Sequence, residues 1–291
     1  MIDDLWKHFA LLLPELNAIG ERPILVAGGF GLIMKQQWLL SEEGRSEKII
    51  VPLERWKDPQ LRSTKDVDIA IGLDLLCNPE NQKSVAKLLN RNGFTEDVKY
   101  WKWTKQLPPD NEVVIELHAP TSGIENTIPE LKKEGNRIKG PGKNSIHGYA
   151  NAELVGHDVF PFSFTWKNVE VSLPNPATYL LMKLTAAEER WAEAQNPEDS
   201  RSAPAESRDQ AFKHARDAYR VLAMVTSGEY ETSSDVVKRI TSEKAYQRAQ
   251  DIVHSSFVSK ESWNVEEIKK DWEEDDIQTL QGVLVQLFPG S

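Results

Sequence analysis

The sequence predicts an α+β fold in which a mixed half precedes a helical half. Up to Leu173, short apolar or alternating runs typical of strands are interspersed with segments of helical spacing. After that point every periodic segment has helical spacing, and Asn175-Pro176 has the pattern of an N-cap followed by proline at the first helical position. We therefore predict two domains, residues 1–174 and 175–291.

The first domain is predicted to begin with a helix, a short buried strand and a second helix. The apolar positions of residues 3–16 fall on one helical face, and the strand over 24–29 ends in Gly28-Gly29. Residues 30–40 again have helical spacing. Residues 41–64 are polar with scattered apolar positions, and we interpret them as an insertion.

The remaining elements of the first domain follow from periodicity and turn residues. A strand is predicted over 67–71, and a helix over 79–92 that stops at Gly93. Alternation predicts hairpins over 97–118 and from Phe160 to 174, the second with Lys167-Asn168 as its turn. Between the hairpins, residues 131–143 contain five basic residues and one acidic residue, and we interpret them as a basic loop.

The second domain is predicted to contain helices only. Their predicted ranges are 176–193, 208–226, 234–257, as one helix or two, and 264–287. Residues 192–208 are small, polar and proline-bearing, which indicates a linker. Ser207 and Gln210 have the spacing of a capping box that opens the helix after this linker.

Composition and charge exclude several classes of protein. With 45 acidic and 35 basic residues the chain has a net charge of −10, so it has no overall attraction to nucleic acid. The single cysteine, Cys77, forms no intrachain disulfide and no cysteine zinc cluster, and we expect a reducing, cytoplasmic location. No run approaches the ~20 apolar residues of a membrane span, so we expect no membrane partner.

One group of residues indicates chemistry at phosphate. Gly28-Gly29 stands between a strand and a helix, where helix N–H groups can receive phosphate. Asp66 and Asp68 are two positions apart on the next strand and therefore share one face, and Glu116 interrupts an apolar strand. Such carboxylates suit Mg²⁺ (or Mn²⁺) bound together with substrate phosphates, which is the chemistry of two-metal phosphoryl transfer.

Each part also has a simpler interpretation. A glycine pair after a strand is commonly a tight turn, the two aspartates are compatible with surface charge, and Glu116 is compatible with an exposed edge strand. A D-x-D pair also occurs in metal-dependent glycosyltransferases, which would favour a nucleotide sugar and Mn²⁺. His118 shares the face of Glu116. A hydrogen-bonded structural histidine is the favoured interpretation, and the alternative is a residue that orients the acid or contacts a base.

The strings AGGFGLIMK, LRSTKDVDIAIG and VVIELH, taken in this order, resemble the nucleotidyltransferase superfamily with the DNA polymerase β-like fold. The string RSTKDVD resembles the bacterial branch of AbiEii-type toxin nucleotidyltransferases. VSLPNPATYLLMKLTAAEER and KHARDAYRV resemble later segments of the same branch, so the resemblance covers residues 24 to about 225. It implies a polymerase-β-like catalytic domain with a mixed sheet, followed by a helical domain that closes the nucleotide site.

The resemblance also implies roles for residues of the first domain. Gly28 and Gly29 would hold the triphosphate of an NTP through their backbone N–H groups. Asp66 and Asp68 would bind the metal ions. Glu116 would bind the catalytic metal and help to deprotonate the acceptor hydroxyl.

In the second domain, the resemblance implies that Lys183 contacts the triphosphate. Asp217 would orient Lys183 or close the nucleotide pocket. Without the resemblance, Lys183 fits a solvated basic face, and Asp217 fits an ion-pair ladder with Lys213 and Arg220.

The sequence departs from the family pattern at three points. Thirty-six residues separate Gly29 from Asp66, which is more than usual, so residues 41–64 must loop out if these motifs belong together. Glu116 stands where aspartate is commoner, and Gly29 stands where the stricter motif has serine. The main alternative is therefore a non-catalytic nucleotidyltransferase-fold module that binds nucleotide or protein.

The acceptor of the nucleotidyl group stays open at this stage. A tRNA 3′ end, a small molecule and a protein side chain are all compatible with the motifs. Lys99–Lys105 interleaves aromatic and basic residues, which favours strand packing over base stacking. Residues 260–276 have a net charge of −5, which indicates a solvated helix face or, alternatively, a site for a basic antitoxin-like protein.

Overall fold

The computed structural model describes the chain with the exception of a few short stretches and single residues. These are residues 1, 58–63, 65, 98, 109–110, 123, 125–127, 143–144, 197, 199–201, 260–261 and 291, and the side chains of residues 2–4. The chain divides into two compact units, Met1–Met34 with Arg62–Pro174, and Lys35–Leu61 with Asn175–Ser291. The second unit thus includes residues 35–61, which the sequence had placed in the first domain.

The first unit combines helices with one large mixed sheet. Its helices are α1 (Ile2–Asn17), the beginning of α2 (Gly28–Leu40), α3 (Leu73–Cys77) and α4 (Pro79–Arg91). Its strands are β1 (Leu25–Val26), β2 (Asp66–Ala70), β3 (Thr95–Glu96), β4 (Lys102–Leu107), β5 (Asn111–Pro120), β6 (Lys132–Glu134), β7 (Arg137–Lys139), β8 (Gly148–Asn151), β9 (Phe162–Trp166) and β10 (Val169–Leu173).

The strand order is β6-β7-β8-β5-β2-β1-β10-β9, and β4 also pairs with β5. β2 runs parallel to β5 and antiparallel to β1, so the two strands that carry the predicted carboxylates are neighbours. The inward face of these strands is apolar: Val67, Ile69, Ile115 and Leu117 are fully buried. This packing fixes the register, because a slip of one residue would exchange the two faces.

Most of the elements predicted for the first unit are confirmed. α4 ends before Gly93, which has a φ of +82°. β4 and β5 form the first predicted hairpin, and β9 and β10 form the second, with Lys167 and Asn168 at its turn. Two expectations were wrong. Gly28 and Gly29 belong to the first turn of α2 rather than to the preceding strand, and part of the basic loop is the β6–β7 hairpin.

The second unit contains the rest of α2, a 3₁₀ turn over Leu53–Arg55 and a series of α-helices after Asn175. They are α5 (Pro176–Gln195), α6 (Pro204–Ala223), α7 (Ser227–Ile240), α8 (Lys244–Ile252), α9 (Val265–Ile268) and α10 (Glu274–Leu287), with a π-helical turn over Val253–Phe257. α6 begins at Pro204, so Ser207 is a buried helical residue and not a cap, which corrects the predicted helix start. The capping box lies instead at Thr226 and Glu229, at the start of α7.

The described part of the insertion packs on the helices of the second unit. The backbone N–H of Ile50 donates to Val225 O at 3.1 Å, and that of Val51 donates to Ala223 O at 3.2 Å. The ring of Trp56 meets that of Trp272 edge-on, with 5.4 Å between centroids. These residues are therefore an integral part of the second unit, which explains how a long segment stands between Gly29 and Asp66.

None of the helices in the described ranges combines the length and the apolar composition that crossing a bilayer requires.

Candidate functional site

The parallel pairing of β2 and β5 brings three polar side chains together on one face of the sheet. Asp68 lies directly opposite Glu116 in the register. His118, two residues beyond Glu116, points to the same face because strand side chains alternate. One ligand atom from each of Asp68, Glu116 and His118 lies within 4.8 Å of the other two, and no other such group occurs among the described residues.

The imidazole of His118 stands between the two carboxylates. Its Nε2 lies 3.2 Å from Asp68 Oδ1 and 3.8 Å from Glu116 Oε2. Its Nδ1 is buried and makes no hydrogen bond within the described chain. A proton on Nε2 gives Asp68 a donor and leaves Nδ1 as a bare acceptor, so this tautomer avoids a buried N–H without a partner.

Glu116 lies in an environment that favours its protonated form. Burial raises the pKa of its carboxyl above the ordinary value, and the negative charge of Asp68 adds to that effect. His118 and Lys102 act in the opposite direction, and Lys102 Nζ lies 3.3 Å from Glu116 Oε1. The site thus holds two neighbouring carboxylates, an arrangement that a divalent cation would stabilise.

Gly28 brings the first turn of α2 against the Asp68 carboxylate. A Cβ built on Gly28 would overlap Asp68 Oδ2, and the backbone φ of Gly28 is +64°. The N–H of Ala27 donates to the carbonyl of Asp68 at 2.8 Å and fixes this approach. Glycine is required here both by the left-handed backbone and by the space that the carboxylate occupies.

Gly29 is a less constrained position than Gly28. A Cβ built on Gly29 would make only an ordinary contact, 3.7 Å from Thr64 Oγ1. The first N–H groups of a helix have no intrahelical acceptor, and the helix dipole favours negative charge there. The start of α2 therefore offers a place for phosphate beside the Asp68 carboxylate.

Asp66 shares the face of Asp68 but lies outside the group of three. It stands opposite Val114 in the register, and its residue is exposed. The hydroxyl of Thr64 donates to the backbone carbonyl of Asp66 at 3.2 Å. This hydrogen bond fixes the backbone at Asp66 and does not involve its carboxylate. The structure thus gathers Asp68 and Glu116 from the predicted set, and adds His118 where Asp66 was expected.

Lys183 and Asp217 form a buried ion pair within the second unit. Lys183 Nζ lies 3.1 Å from Asp217 Oδ2, and the two side chains are 7% and 2% exposed. The pair joins α5 to α6. A solvated basic face is therefore the wrong interpretation for Lys183, and a surface ladder is wrong for Asp217.

His118 was not among the predicted metal-binding residues, but its imidazole lies with Asp68 and Glu116. The sequence signal for this placement was the spacing of two residues between Glu116 and His118, which puts both side chains on one face of the strand. That spacing does not reveal which strand pairs with β5. The register of β2 against β5 supplies the missing information, because it places the Asp68 carboxylate within hydrogen-bond distance of the imidazole.

The donor set suits a divalent cation. Two carboxylates next to a place for phosphate are typical of Mg²⁺ and Mn²⁺ sites, which are completed by substrate oxygens and water. Imidazole is the ligand least suited to Mg²⁺, and the hydrogen bond to Asp68 gives His118 a different task. Asp68 and Glu116 are thus the residues that could hold the ion, with His118 orienting Asp68.

Comparisons with known proteins gave one structural match. No protein-family model matches the sequence, and no curated protein matches it. The chain is similar to the crystal structure of an antigenic nucleotidyltransferase-like protein from Paracoccidioides brasiliensis, over 83% of this chain and 94% of that chain, at 12% sequence identity and a TM-score of 0.35.

Proposed function

We propose that the chain is a divalent-metal-dependent nucleotidyltransferase that moves an NMP from an NTP to an acceptor hydroxyl and releases pyrophosphate. The observation that carries the proposal is the position of Gly28, which places the beginning of α2 against the carboxylate of Asp68. A phosphate-binding helix end and a metal-binding carboxylate are thereby adjacent, as transfer from a nucleoside triphosphate requires.

In the proposed reaction, the acceptor oxygen bonds to the α-phosphorus while the bond from that phosphorus to the bridging oxygen of pyrophosphate breaks. The bound metal ion would neutralise charge on the phosphates. Glu116, which lies opposite Asp68 in the strand register, takes the proton of the acceptor hydroxyl as a general base. His118 holds Asp68 in place, and the start of α2 binds the triphosphate.

A second candidate is a nucleotide-binding module without catalysis. It is favoured by Lys102, whose ammonium lies 3.3 Å from Glu116 and already compensates part of the acidic charge. If that lysine stays in place when nucleotide binds, Glu116 would neither hold a metal ion nor accept a proton.

The finer identity of the enzyme is also a proposal. A toxin-like role of the AbiEii kind is supported only by the resemblance of RSTKDVD, in which Arg62, Ser63 and Lys65 lie outside the described residues. On the same basis we propose NTP as donor, a tRNA end, small molecule or protein as acceptor, an antitoxin-like partner, and a cytoplasmic location. The role of Lys183 and Asp217 toward the triphosphate belongs to this group of proposals.

The proposal is tested by incubating the full chain with each α-³²P-labelled NTP and Mg²⁺ or Mn²⁺, with and without total tRNA or cell extract. We expect label to move to an acceptor, and we expect Asp68→Asn and Glu116→Gln each to reduce transfer by about 100-fold or more, the scale of losing an electrostatic catalytic group. Glu170→Gln, an exposed carboxylate on β10, is the matched control.

Each outcome separates the two candidates. Transfer that is lost in both variants and in EDTA, but kept in Glu170→Gln, supports the enzyme. Nucleotide binding without transfer under any acceptor condition supports the non-catalytic module. If neither binding nor transfer occurs, both candidates are wrong.

A further inference from the structure

The first unit contains a cavity that the proposed metal site does not use. Its volume is about 360 Å³, and its wall includes the residues that follow β2 and the end of β5. Pro120 in this wall lies two residues beyond His118 on the same strand. The volume is at the lower end of the range for small-molecule sites, so an occupant would be a small compound.

Three polar side chains in the wall of the cavity have acceptor capacity that nothing else in the described chain uses. Among the described residues, neither the Asp74 carboxylate nor the Ser122 hydroxyl has a hydrogen bond or an ion pair, and Asp74 interacts electrostatically with His157. His157 lines the same cavity and is 7% exposed. Its Nδ1 lies 2.9 Å from the carbonyl of Leu154, which can only accept, so Nδ1 carries the proton and Nε2 is an acceptor.

The charge of the cavity is negative. Among the described residues of its wall, Arg22 is the one arginine or lysine, and the guanidinium of Arg22 is engaged by the carboxylate of Asp158. Burial lowers the pKa of His157, so that imidazole is neutral at physiological pH. The carboxylate of Asp74 is therefore a negative charge that no basic side chain of the described wall compensates, and it favours the binding of a cation.

An organic cation fits these groups better than a metal ion. A single metal ion would need ligand atoms close together, yet among the described residues only Asp68, Glu116 and His118 bring three such atoms within 4.8 Å of one another. An ammonium group on a carbon chain carries three N–H donors and can extend to more distant partners.

We propose that this cavity binds a small primary-ammonium compound, with the ammonium on Asp74 and further donors of the ligand on His157 and Ser122. A neutral ligand of the same size would leave the Asp74 carboxylate without a counter-charge. An anion would meet that carboxylate directly. Binding here does not require nucleotidyl transfer, so it is independent of the proposed activity.

The test is a titration of the ¹⁵N-labelled full chain, followed by NMR, with matched pairs of probes. The cationic probes are 1,4-diaminobutane and ethanolamine, and the neutral counterparts are 1,4-butanediol and ethylene glycol. The backbone amides of Gly72 and Gly156, which lie in the wall of the cavity, report the location of binding. We expect the cationic probes to shift both amides in a saturable manner and the diols to leave them unchanged.

The variants define the contribution of each group. Asp74→Asn removes the charge without changing the shape, and we expect it to weaken binding of 1,4-diaminobutane by about tenfold, as loss of a charge-assisted hydrogen bond should. Ser122→Ala should weaken it by about threefold, the scale of one neutral hydrogen bond. Asp251→Asn, an exposed aspartate of α8, should have no effect.

Any of three results would overturn the proposal. One is equal binding of the diamine and the diol, which would show that charge is not recognised. Another is an absence of saturable shifts at Gly72 and Gly156 in a wild-type chain that gives the dispersed spectrum of a folded protein. Equal affinity of Asp74→Asn and the wild-type chain would count in the same way.

Discussion

The α carbon of Gly28 lies so close to the carboxylate of Asp68 that a methyl group on Gly28 would occupy the place of Asp68 Oδ2. This contact joins the beginning of a helix to the middle of the site. It makes a single glycine responsible both for a backbone conformation and for the position of the Asp68 side chain, a candidate metal ligand.

Gly28→Ala should therefore damage both stability and metal binding. The left-handed backbone alone costs a non-glycine residue roughly 1–2 kcal/mol, and the displaced Asp68 carboxylate adds to that loss. Urea unfolding and a Mn²⁺ titration measure the two effects. Gly29→Ala is the matched control, because its Cβ would meet only Thr64 at 3.7 Å and alanine is favoured over glycine in a helix. Equal effects of the two variants would contradict this assignment.

His118 should contribute to metal affinity more than Asp66 does. His118→Ala removes the donor that orients Asp68, and partners of this kind typically contribute about 10–100-fold to metal affinity. Asp66→Asn should change the affinity for the first Mn²⁺ ion much less, because Asp66 lies outside the group of three. Electron paramagnetic resonance of free Mn²⁺ measures both constants. If the two variants lose the same affinity, Asp66 binds that ion as well.

Removing the charge of Lys102 should strengthen metal binding. The ammonium competes with a metal ion for Glu116, so Lys102→Met is expected to raise Mn²⁺ affinity about threefold or more, by analogy with other close charge pairs in partly exposed sites. The same Mn²⁺ titration measures the change. A weaker affinity in Lys102→Met would mean that the lysine positions Glu116 rather than competing for it.

The buried pair of Lys183 and Asp217 should stabilise the second unit. Lys183→Met leaves the Asp217 carboxylate buried without this partner, a change that typically costs about 3–5 kcal/mol. Lys238→Met, which breaks an exposed pair on α7, should leave the unfolding midpoint nearly unchanged. Urea denaturation of both variants decides the point. A fully stable Lys183→Met chain that has lost nucleotide affinity would assign the lysine to the ligand instead.

Acidification should destabilise the first unit through His157. Burial lowers the pKa of this imidazole below its ordinary value of 6.5. The unfolded chain therefore binds a proton that the folded chain does not, and stability falls as the pH drops from 6.5 toward the folded pKa. The measurement is the free energy of unfolding at about pH 7.5 and about pH 5.5, two values that bracket the ordinary histidine pKa. Its decrease between these values should be smaller in His157→Gln than in the wild-type chain. An unchanged decrease would assign the effect to other groups.

The sequence was sufficient to predict the α+β character, the two hairpins and the strands that carry Asp68 and Glu116. These features depend on local periodicity and on turn residues, both of which can be read from short stretches of sequence. The sequence could not predict that His118, rather than Asp66, lies with Asp68 and Glu116. Alternation along the strand places Asp66 and Asp68 equally on one face. Only the pairing with a distant strand, where Asp66 meets Val114 and Asp68 meets Glu116, distinguishes them.

The same reasoning explains the insertion. Residues 41–57 have no strong periodicity of their own, so nothing local indicates that they pack on helices. The partners of Val51 and Trp56 are Ala223 and Trp272, which lie far along the chain. The long separation of Gly29 and Asp66 is thus a consequence of tertiary packing.

The position of this segment has a consequence for biosynthesis. The chain leaves the first unit at Met34, within α2, and returns to it at residue 62. During synthesis on the ribosome, Val51 and Trp56 emerge long before the helices that cover them. Their apolar side chains are therefore exposed during this time, and chaperones that bind exposed apolar segments would bind there. A truncated gene ending at residue 174 would make that exposure permanent and would yield an aggregation-prone fragment.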